Sequence, residues 1–214
     1  MPPCPAPDTC LLYLIRHAAT ENNRARPPRL QGWRTDPALS IEGLEQARQT
    51  GRLMADCRLN VIYSSPLARA RRTAEIVAEP HHLDVRSVEA LTEVDVGEWE
   101  GLSWEEVERT SPEACRAFSE NPCVNPYLGG ECLEQVKDRV VPAVKELLCR
   151  HTGETIAIFA HNMVNRVFLL ELLGMPLNSY RSIPQSNCGV NIIRSRNGQT
   201  KLLTLNSVLH LSDA

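Results

Sequence analysis

The feature that most limits the fold is a rhythm of short apolar runs and longer amphipathic segments. Leu11-Leu12-Tyr13-Leu14-Ile15, Val61-Ile62-Tyr63 and Ile156-Ala157-Ile158-Phe159 are unbroken apolar runs of strand length. Such runs suit strands buried on both faces. Between and after them, segments 40–57, 65–79, 132–150 and 161–174 predict helices. Ser40 reads as an N-cap, with Ile41, Leu44, Ala47, Gly51 and Met54 towards one face. Ser65 and Pro66 read as the N-cap and first position of the next helix. Leu133, Val136, Val140, Val144 and Leu147 keep helical spacing, and Pro142 predicts a bend among them. Gly153 and Gly174 read as stops. Residues 83–91 predict a strand with an irregular exit, and 189–207 an antiparallel pair turning at Asn197-Gly198. Strands alternating with long helices predict an α/β fold: a three-layer α/β/α sandwich with a mostly parallel central sheet and an antiparallel edge.

The chain has 214 residues, enough for one domain with an ample core. Residues 10–214 are assigned to that domain. Residues 1–9, rich in proline, read as a disordered leader, and 97–130 as a small lid-like insertion of loop and short helices. A net charge of -3 argues against nucleic acid as a partner. No apolar run approaches the roughly 20 residues that span a bilayer, and the N-terminus lacks the basic and apolar parts of a signal peptide. The eight cysteines therefore read as reduced thiols of a cytoplasmic protein. None forms a CxxC pair. Cys10 and Arg16 match the C-x5-R spacing of cysteine phosphatases, but a strand fills the interval where a loop of free N–H groups is needed. The chain carries no pattern that fixes an oligomeric state, and a dimer stays open.

In open α/β sheets, ligands bind beyond the carboxyl ends of the strands. The first strand ends in Arg16-His17, the second in Ser64-Ser65 with Arg69 shortly after, and the third in Ala160-His161. Two histidines and two arginines thus converge on one sheet edge. Paired guanidiniums suit a doubly charged oxyanion such as phosphate. Neighbouring cations favour a neutral imidazole, which makes His17 a nucleophile for phosphorus. His161 would stay protonated and stabilise the transferring group. A leaving alkoxide needs an acid, for which Glu21, Glu93, Asp95, Glu98 and Glu131 are all candidates. Arg26, Arg29, Gln31, Trp33, Glu98, Trp99 and Met163 are placed at the mouth. His81 and His82 read as surface loop, without ligand spacing to any thiol or carboxylate.

These residues carry a resemblance. "LIRHAATENN" resembles the R-H-G-x-T-x-x-N motif of the histidine phosphatase superfamily, in its phosphoglycerate-mutase-like branch. "LQGWRTDPALSIEGLEQA", "SSPLARARRTA", "LTEVDVGEWEG", "GGECLEQVKDRV" and "FAHNMVNR" resemble its later motifs in order, from residue 11 to about 205. The resemblance implies that His17 is phosphorylated, that Arg16, Arg69 and His161 complete the phosphate pocket, and that Glu93 is the proton donor. It implies Asn23, Thr20, Asn162, Gln31 and Gly32 as substrate contacts, and no metal or other cofactor. Ala18 departs from the family's usual glycine, Asn162-Met163 from Gly-Gly, and Cys132 from serine. A positive φ at residue 18 would make its methyl unfavourable by about 1 kcal/mol.

The activity implied is hydrolysis of a small phosphorylated metabolite by a metal-independent phosphomonoesterase. A phosphoglycerate mutase is the first alternative, disfavoured because such mutases resemble this chain but carry a longer insertion than 101–129. A catalytically dead binding module is the second, disfavoured because Arg16, His17, Arg69, Glu93 and His161 are all present.

Overall fold

Strand β1 runs through Thr9–Arg16, and its neighbours decide where the chemistry goes. The computed structural model describes residues 5–211. Residues 1–4 of the expected leader lie outside that range. Within residues 6–9 the Thr9 N–H donates to the Ala6 carbonyl at 2.9 Å, and Asp8 pairs with Arg196 at 2.7 Å. After β1 come a one-turn helix α1 (Glu21–Arg24), α2 (Ile41–Met54), β2 (Val61–Ser64), α3 (Ala68–Ala78) and β3 (Val85–Ser87). Then follow α4 (Trp104–Thr110), α5 (Pro112–Glu120), α6 (Leu133–Arg150), β4 (Thr155–Ala160), α7 (Asn162–Leu173), β5 (Val190–Arg196) and β6 (Gln199–Ser207).

The six-stranded sheet has the order β3-β2-β4-β1-β5-β6. β3, β2, β4 and β1 are parallel, while β5 and β6 close the edge antiparallel. Alternate residues of the parallel strands face opposite helical layers. Leu12, Leu14, Ile156 and Ile158 pack with α6 and α7. Tyr13, Ile15, Ala157 and Phe159 pack with Met54 of α2 and with Ala74 and Val77 of α3. The three-layer sandwich expected from the sequence is the fold observed, including the turn at Asn197-Gly198, where both residues have positive φ.

Two helices differ in detail. Ser40 caps α2 as expected, its Oγ accepting from the Gly43 N–H at 3.0 Å. The buried face, however, is Gly43, Gln46, Ala47, Thr50, Gly51 and Met54, and Ile41 is 86% exposed. Gly43 sets that rotation, because a Cβ there would meet the Ala19 carbonyl oxygen at 2.0 Å. Helix α3 begins at Ala68, not at Pro66. Ser65 still donates to the Phe159 carbonyl as a continuation of the sheet, and the carboxylate of Asp36 takes the Ala68 N–H.

The insertion is anchored by aromatics. Trp99 is fully buried, not at a mouth, and meets Trp104, Phe118 and Tyr127 edge-on at 5.9, 5.7 and 5.6 Å. Its stem is closed by the Glu98 N–H on the Leu128 carbonyl at 2.8 Å and the Glu131 N–H on the Asp95 carbonyl at 2.9 Å. The seven cysteines within residues 5–211 are free thiols, and among the described residues no helix is long and apolar enough to cross a membrane.

A glycine-to-alanine change inside a helix ordinarily stabilises by up to about 1 kcal/mol. Gly43→Ala reverses that sign, because backbone is what its methyl meets. The expected loss is about 1–3 kcal/mol, read as a lower urea midpoint. An unchanged or higher midpoint would show that the loop at Ala19 yields freely.

Candidate active site

The registry of β1 and β4 builds the centre. Arg16 stands opposite Ala160, and the His17 N–H donates to the Ala160 carbonyl at 2.9 Å. The next residue on each strand exit is therefore a histidine beside a histidine. Their ring centroids lie 5.1 Å apart. His17 Nδ1 is 2.7 Å from the Ala18 carbonyl oxygen. A carbonyl only accepts, so the geometry assigns the proton to Nδ1 and leaves the Nε2 lone pair free. Burial, then the charges of Arg69 and Arg16, push the His17 pKa well below its ordinary value. The ring is thus neutral, with its Nε2 lone pair available.

His161 behaves differently from expectation. It is fully buried and neither ring nitrogen has a partner among the described residues. Burial, followed by Arg69, His17 and Arg16, holds its pKa well below the ordinary value, so the imidazole is neutral rather than protonated. The protonated form needs an anion to offset those cations.

The guanidiniums are held from behind. Arg16 Nη1 donates to the Gln185 carbonyl at 2.6 Å, while its Nε is buried without a partner. Burial foremost lowers the Arg16 pKa to about 10, which leaves it charged at neutral pH. Arg69 is fully buried. Its Nη2 donates to the Gly32 carbonyl at 2.6 Å, and its Nη1 to the Thr35 carbonyl and to Asp36 Oδ1, both at 3.2 Å. With the Gln31 amide oxygen turned to the guanidinium, it accepts from Nε at 2.9 Å and Nη1 at 3.1 Å, and the amide nitrogen donates to Thr20 Oγ1 at 2.7 Å. Asp36 thus has two jobs, balancing a buried cation and starting α3. Nothing about Asp36 alone marked it in the sequence.

A cavity of 110 Å³ brings together Arg16, His17, Asn23, Gln31, Glu93 and Asn162 on its wall. Thr20, Gly32, Arg69 and His161 do not line it and stand one layer behind. Thr20 supports the wall directly, through its N–H on Asn23 Oδ1 at 3.1 Å. Of the carboxylates considered as the acid, Glu93 is the one on the wall. Its Oε1 accepts from the Val94 N–H at 3.0 Å and its Oε2 from the Met163 N–H at 3.2 Å. Glu131 is occupied by Arg139 at 3.0 Å and by the Asp95 N–H. Asp95 is occupied by Arg34 at 2.8 Å, and Glu21 and Glu98 are exposed and off the wall. Of the residues placed at the mouth, Arg29, Gln31 and Met163 line the cavity, whereas Arg26, Trp33, Glu98 and Trp99 do not.

Three groups escaped the sequence. Arg139 of α6 grips the carbonyls of Ala90 at 2.8 Å and Thr92 at 2.6 Å, and that of Glu93 at 3.2 Å, fixing the backbone at Glu93. Asn187 donates to the His17 carbonyl at 2.9 Å. Gln185 and Asn191 exchange two amide hydrogen bonds at 3.0 Å, and Asn191 also donates to the Leu14 carbonyl, so the segment holding Arg16 is tied to β1 itself. The amide-rich string "PQSNCGVN" was the available signal. Ala18 needs no left-handed backbone: among the described residues the non-glycine ones with positive φ are His82, Cys188, Asn197 and Asn206. Its N–H donates to Thr73 Oγ1 at 3.1 Å, and its methyl belongs to a small cluster with Ala47 and Cys188. The strain that a positive φ would impose there is absent. Cys132 serves as the N-cap residue of α6, with its N–H donating to Gln135 Oε1 at 2.8 Å. Among the described residues no group of three or more His, Cys, Asp or Glu is placed to hold a metal.

Two imidazoles kept neutral by burial make stability pH-dependent. Both folded pKa values lie below the unfolded value of about 6.5, so the unfolded chain binds more protons as the pH falls. Their stabilisation is full above that value and is lost below it, at up to about 1.4 kcal/mol per pH unit for each ring. Urea unfolding of His161→Asn between pH 6.5 and 5 should show a shallower slope than wild type. Parallel slopes would contradict the neutral assignment.

The chain matches the histidine phosphatase superfamily (branch 1) over residues 12–208. It is 35% identical to phosphoserine phosphatase 1 of Hydrogenobacter thermophilus, over 94% of each chain. It is 32% identical to the metal-independent phosphoserine phosphatase of Arabidopsis thaliana, over 94% of this chain and 83% of that one. The solved structure of Bacillus stearothermophilus YhfR superposes with a TM-score of 0.87 at 31% identity, covering 95% of this chain and all (100%) of that one. With two strand-end histidines, two guanidiniums and one walled carboxyl in that shared fold, the chain belongs to the histidine phosphatase superfamily and is a phosphoric monoester hydrolase.

Proposed function

We propose that the chain hydrolyses a small phosphorylated metabolite through a phosphohistidine on His17, with Glu93 as the proton donor. One observation carries this: an imidazole with its Nε2 free shares a 110 Å³ wall with Arg16 and with the Glu93 carboxyl. The phosphate dianion sits against Arg16 and the Asn23, Gln31 and Asn162 groups, with the charge of Arg69 behind them. Nε2 of His17 attacks phosphorus as the bond to the ester oxygen breaks. Glu93 gives its proton to that oxygen, and the alcohol leaves. Water then attacks the phosphohistidine, its proton passes to the Glu93 carboxylate, and the P–N bond breaks to restore neutral His17. Positioning and charge stabilisation supply most of the rate in such transfers. The incoming dianion offsets the cations around His161, so that ring takes up a proton from solvent and adds its charge beside the transferring group.

The named relatives make phosphoserine the first compound to assay, since two of them are phosphoserine phosphatases. The mutase alternative is less supported, because the same two relatives are phosphatases and the insertion is short. Release of inorganic phosphate without a bisphosphorylated primer is expected. Primer-dependent isomerisation of 3-phosphoglycerate without release would reverse that choice.

His17→Ala should abolish turnover and the acid-labile phosphoryl label on the quenched protein. A label of wild-type size would remove His17 from its role. Glu93→Gln should lower kcat on alkyl phosphates by about 10²–10⁴-fold. On p-nitrophenyl phosphate, whose leaving group needs little protonation, the loss should be far smaller. Equal losses on the two substrates would mean that Glu93 is not the acid.

A further inference from the structure

The peptide that joins Ala18 to Ala19 is held at both ends. Its carbonyl faces His17 Nδ1 at 2.7 Å, the contact that places the ring proton. Its N–H, which belongs to Ala19, donates to Gln46 Oε1 of α2 at 3.0 Å. The peptide is trans, so these two groups point in opposite directions. The Gln46 amide and the His17 imidazole therefore stand on one hydrogen-bonded line with the peptide between them. The line continues outwards. Gln46 Nε2 donates to Glu42 Oε1 at 3.3 Å, and half-buried Glu42 is paired with Arg24 at 2.8 Å. A carboxylate only accepts and a peptide N–H only donates, so one orientation of the Gln46 amide satisfies both neighbours.

Gln46 is buried, and a buried amide is unfavourable unless its polar groups are bonded. Two other groups anchor the same turn. The Ala18 N–H donates to Thr73 Oγ1 at 3.1 Å, and the Ala19 carbonyl accepts from the Ser40 N–H at 2.9 Å. Those bonds belong to the peptides before and after. Of the three anchors, Gln46 is the one on the peptide that His17 touches. A peptide whose N–H is bonded carries more negative charge on its oxygen, and chained hydrogen bonds strengthen one another. The Ala18 oxygen is thereby a better acceptor for the Nδ1 proton. Attack by Nε2 on phosphorus draws electron density from the ring and makes Nδ1–H a stronger donor. This bond then tightens as transfer proceeds, and an interaction stronger in the transition state than in the ground state raises the rate more than the binding.

Resting on the phosphohistidine reading, we propose that Gln46 is a positioning residue for His17. Through the Ala18–Ala19 peptide it keeps the ring proton on Nδ1 and favours phosphoryl transfer to Nε2. The N–P bond forms as the bond to the ester oxygen breaks, and the Nδ1 proton stays in place throughout.

The test reads the tautomer and the rate separately. In heteronuclear NMR of isotopically labelled wild type at neutral pH, where the ring is uncharged, the imidazole signals lost in His17→Ala should be those of a ring protonated on Nδ1. Gln46→Met keeps the reach of the side chain and removes the acceptor. It should move the Nδ1 proton signal upfield and slow single-turnover formation of the phosphohistidine from p-nitrophenyl phosphate by about 3–10-fold. The affinity for inorganic phosphate should change little. Thr73→Val loosens the same turn at the preceding peptide and should leave the signal in place. An unmoved signal in Gln46→Met, an equal shift in Thr73→Val, or a shift without slower transfer overturns the proposal. Where Gln46→Met fails to fold, the exchanged pair Glu42→Gln with Gln46→Glu serves instead. It keeps an acceptor on the Ala19 N–H and reverses the outer bond. A carboxylate is the stronger acceptor, so the signal should move downfield and transfer should be no slower than in wild type. A signal that stays or moves upfield overturns the proposal. If the signals respond as expected but no phosphoryl label forms on wild type, the hold of Gln46 on the ring stands and the phosphohistidine reading falls.

Discussion

Everything at this centre depends on the in-register parallel pairing of β1 with β4. The two strands end level, Arg16 against Ala160, so the residues that follow are forced together at 5.1 Å between ring centres. Helices cannot do this as well, because neighbouring side chains on a helix diverge and only every third or fourth residue shares a face. A parallel strand pair buried on both faces is stiff, and its exits point the same way. β2 adds the third exit, and through α3 it delivers Arg69 to the same end of the sheet. A one-residue slip in β1 would carry His17 away from the Ala160 carbonyl and exchange the faces of every side chain on the strand.

Electrostatics follow from that placement. Two guanidiniums and two imidazoles sit within a buried volume where, among the described residues, Asp36 is the carboxylate at ion-pairing distance from Arg69 and Glu93 and Glu100 act on it from further off. The rings respond by staying neutral, while the arginines remain charged. One consequence is a nucleophile that is deprotonated at the pH where phosphate esters are dianions. Another is an excess of positive charge that a phosphate would balance. The same surplus favours the anion's entry and stabilises the charge spread over the transferring group. A group that binds in its neutral form and becomes cationic beside the anion, as His161 does in this scheme, adds stabilisation as the complex forms instead of opposing it beforehand.

Much of this was legible from the sequence because strand exits are local facts. An apolar run followed by Arg-His is visible without knowing what lies beside it, and the carboxyl-edge rule brings such exits together. The layer order was legible for the same reason: period and length identify strands and helices one at a time. Less legible were facts that depend on distant backbone. Gly43 turns α2 because of the Ala19 carbonyl, which no helical wheel includes, and Ile41 is exposed as a result. Asp36, Arg139, Asn187 and Asn191 each act on a backbone or side chain far along the chain, so their roles needed the folded arrangement. Trp99 shows the reverse error. A tryptophan in a glycine-bounded insertion looks like a mouth residue, yet it is the nail that fastens the insertion to the core.

That fastening bears on how Glu93 is placed. Glu93 comes from an irregular stretch, not from a strand end, so it lacks the stiffness that β1 and β4 give the histidines. Three constraints replace it. Arg139 holds the carbonyls of Ala90, Thr92 and Glu93, the Val94 and Met163 N–H groups orient the carboxyl, and the stem is closed by the Glu131 N–H on the Asp95 carbonyl. The Met163 bond is the informative one, because it joins the acid to the first turn of α7, whose N-cap residue is His161. The Glu93 carboxyl and the His161 ring are therefore referenced to the same helix end. The insertion beyond the stem supplies Trp104 and Glu108 to a neighbouring cavity of 510 Å³, while α7 supplies Arg166. Variation in the insertion can then alter what lines that cavity without moving Glu93.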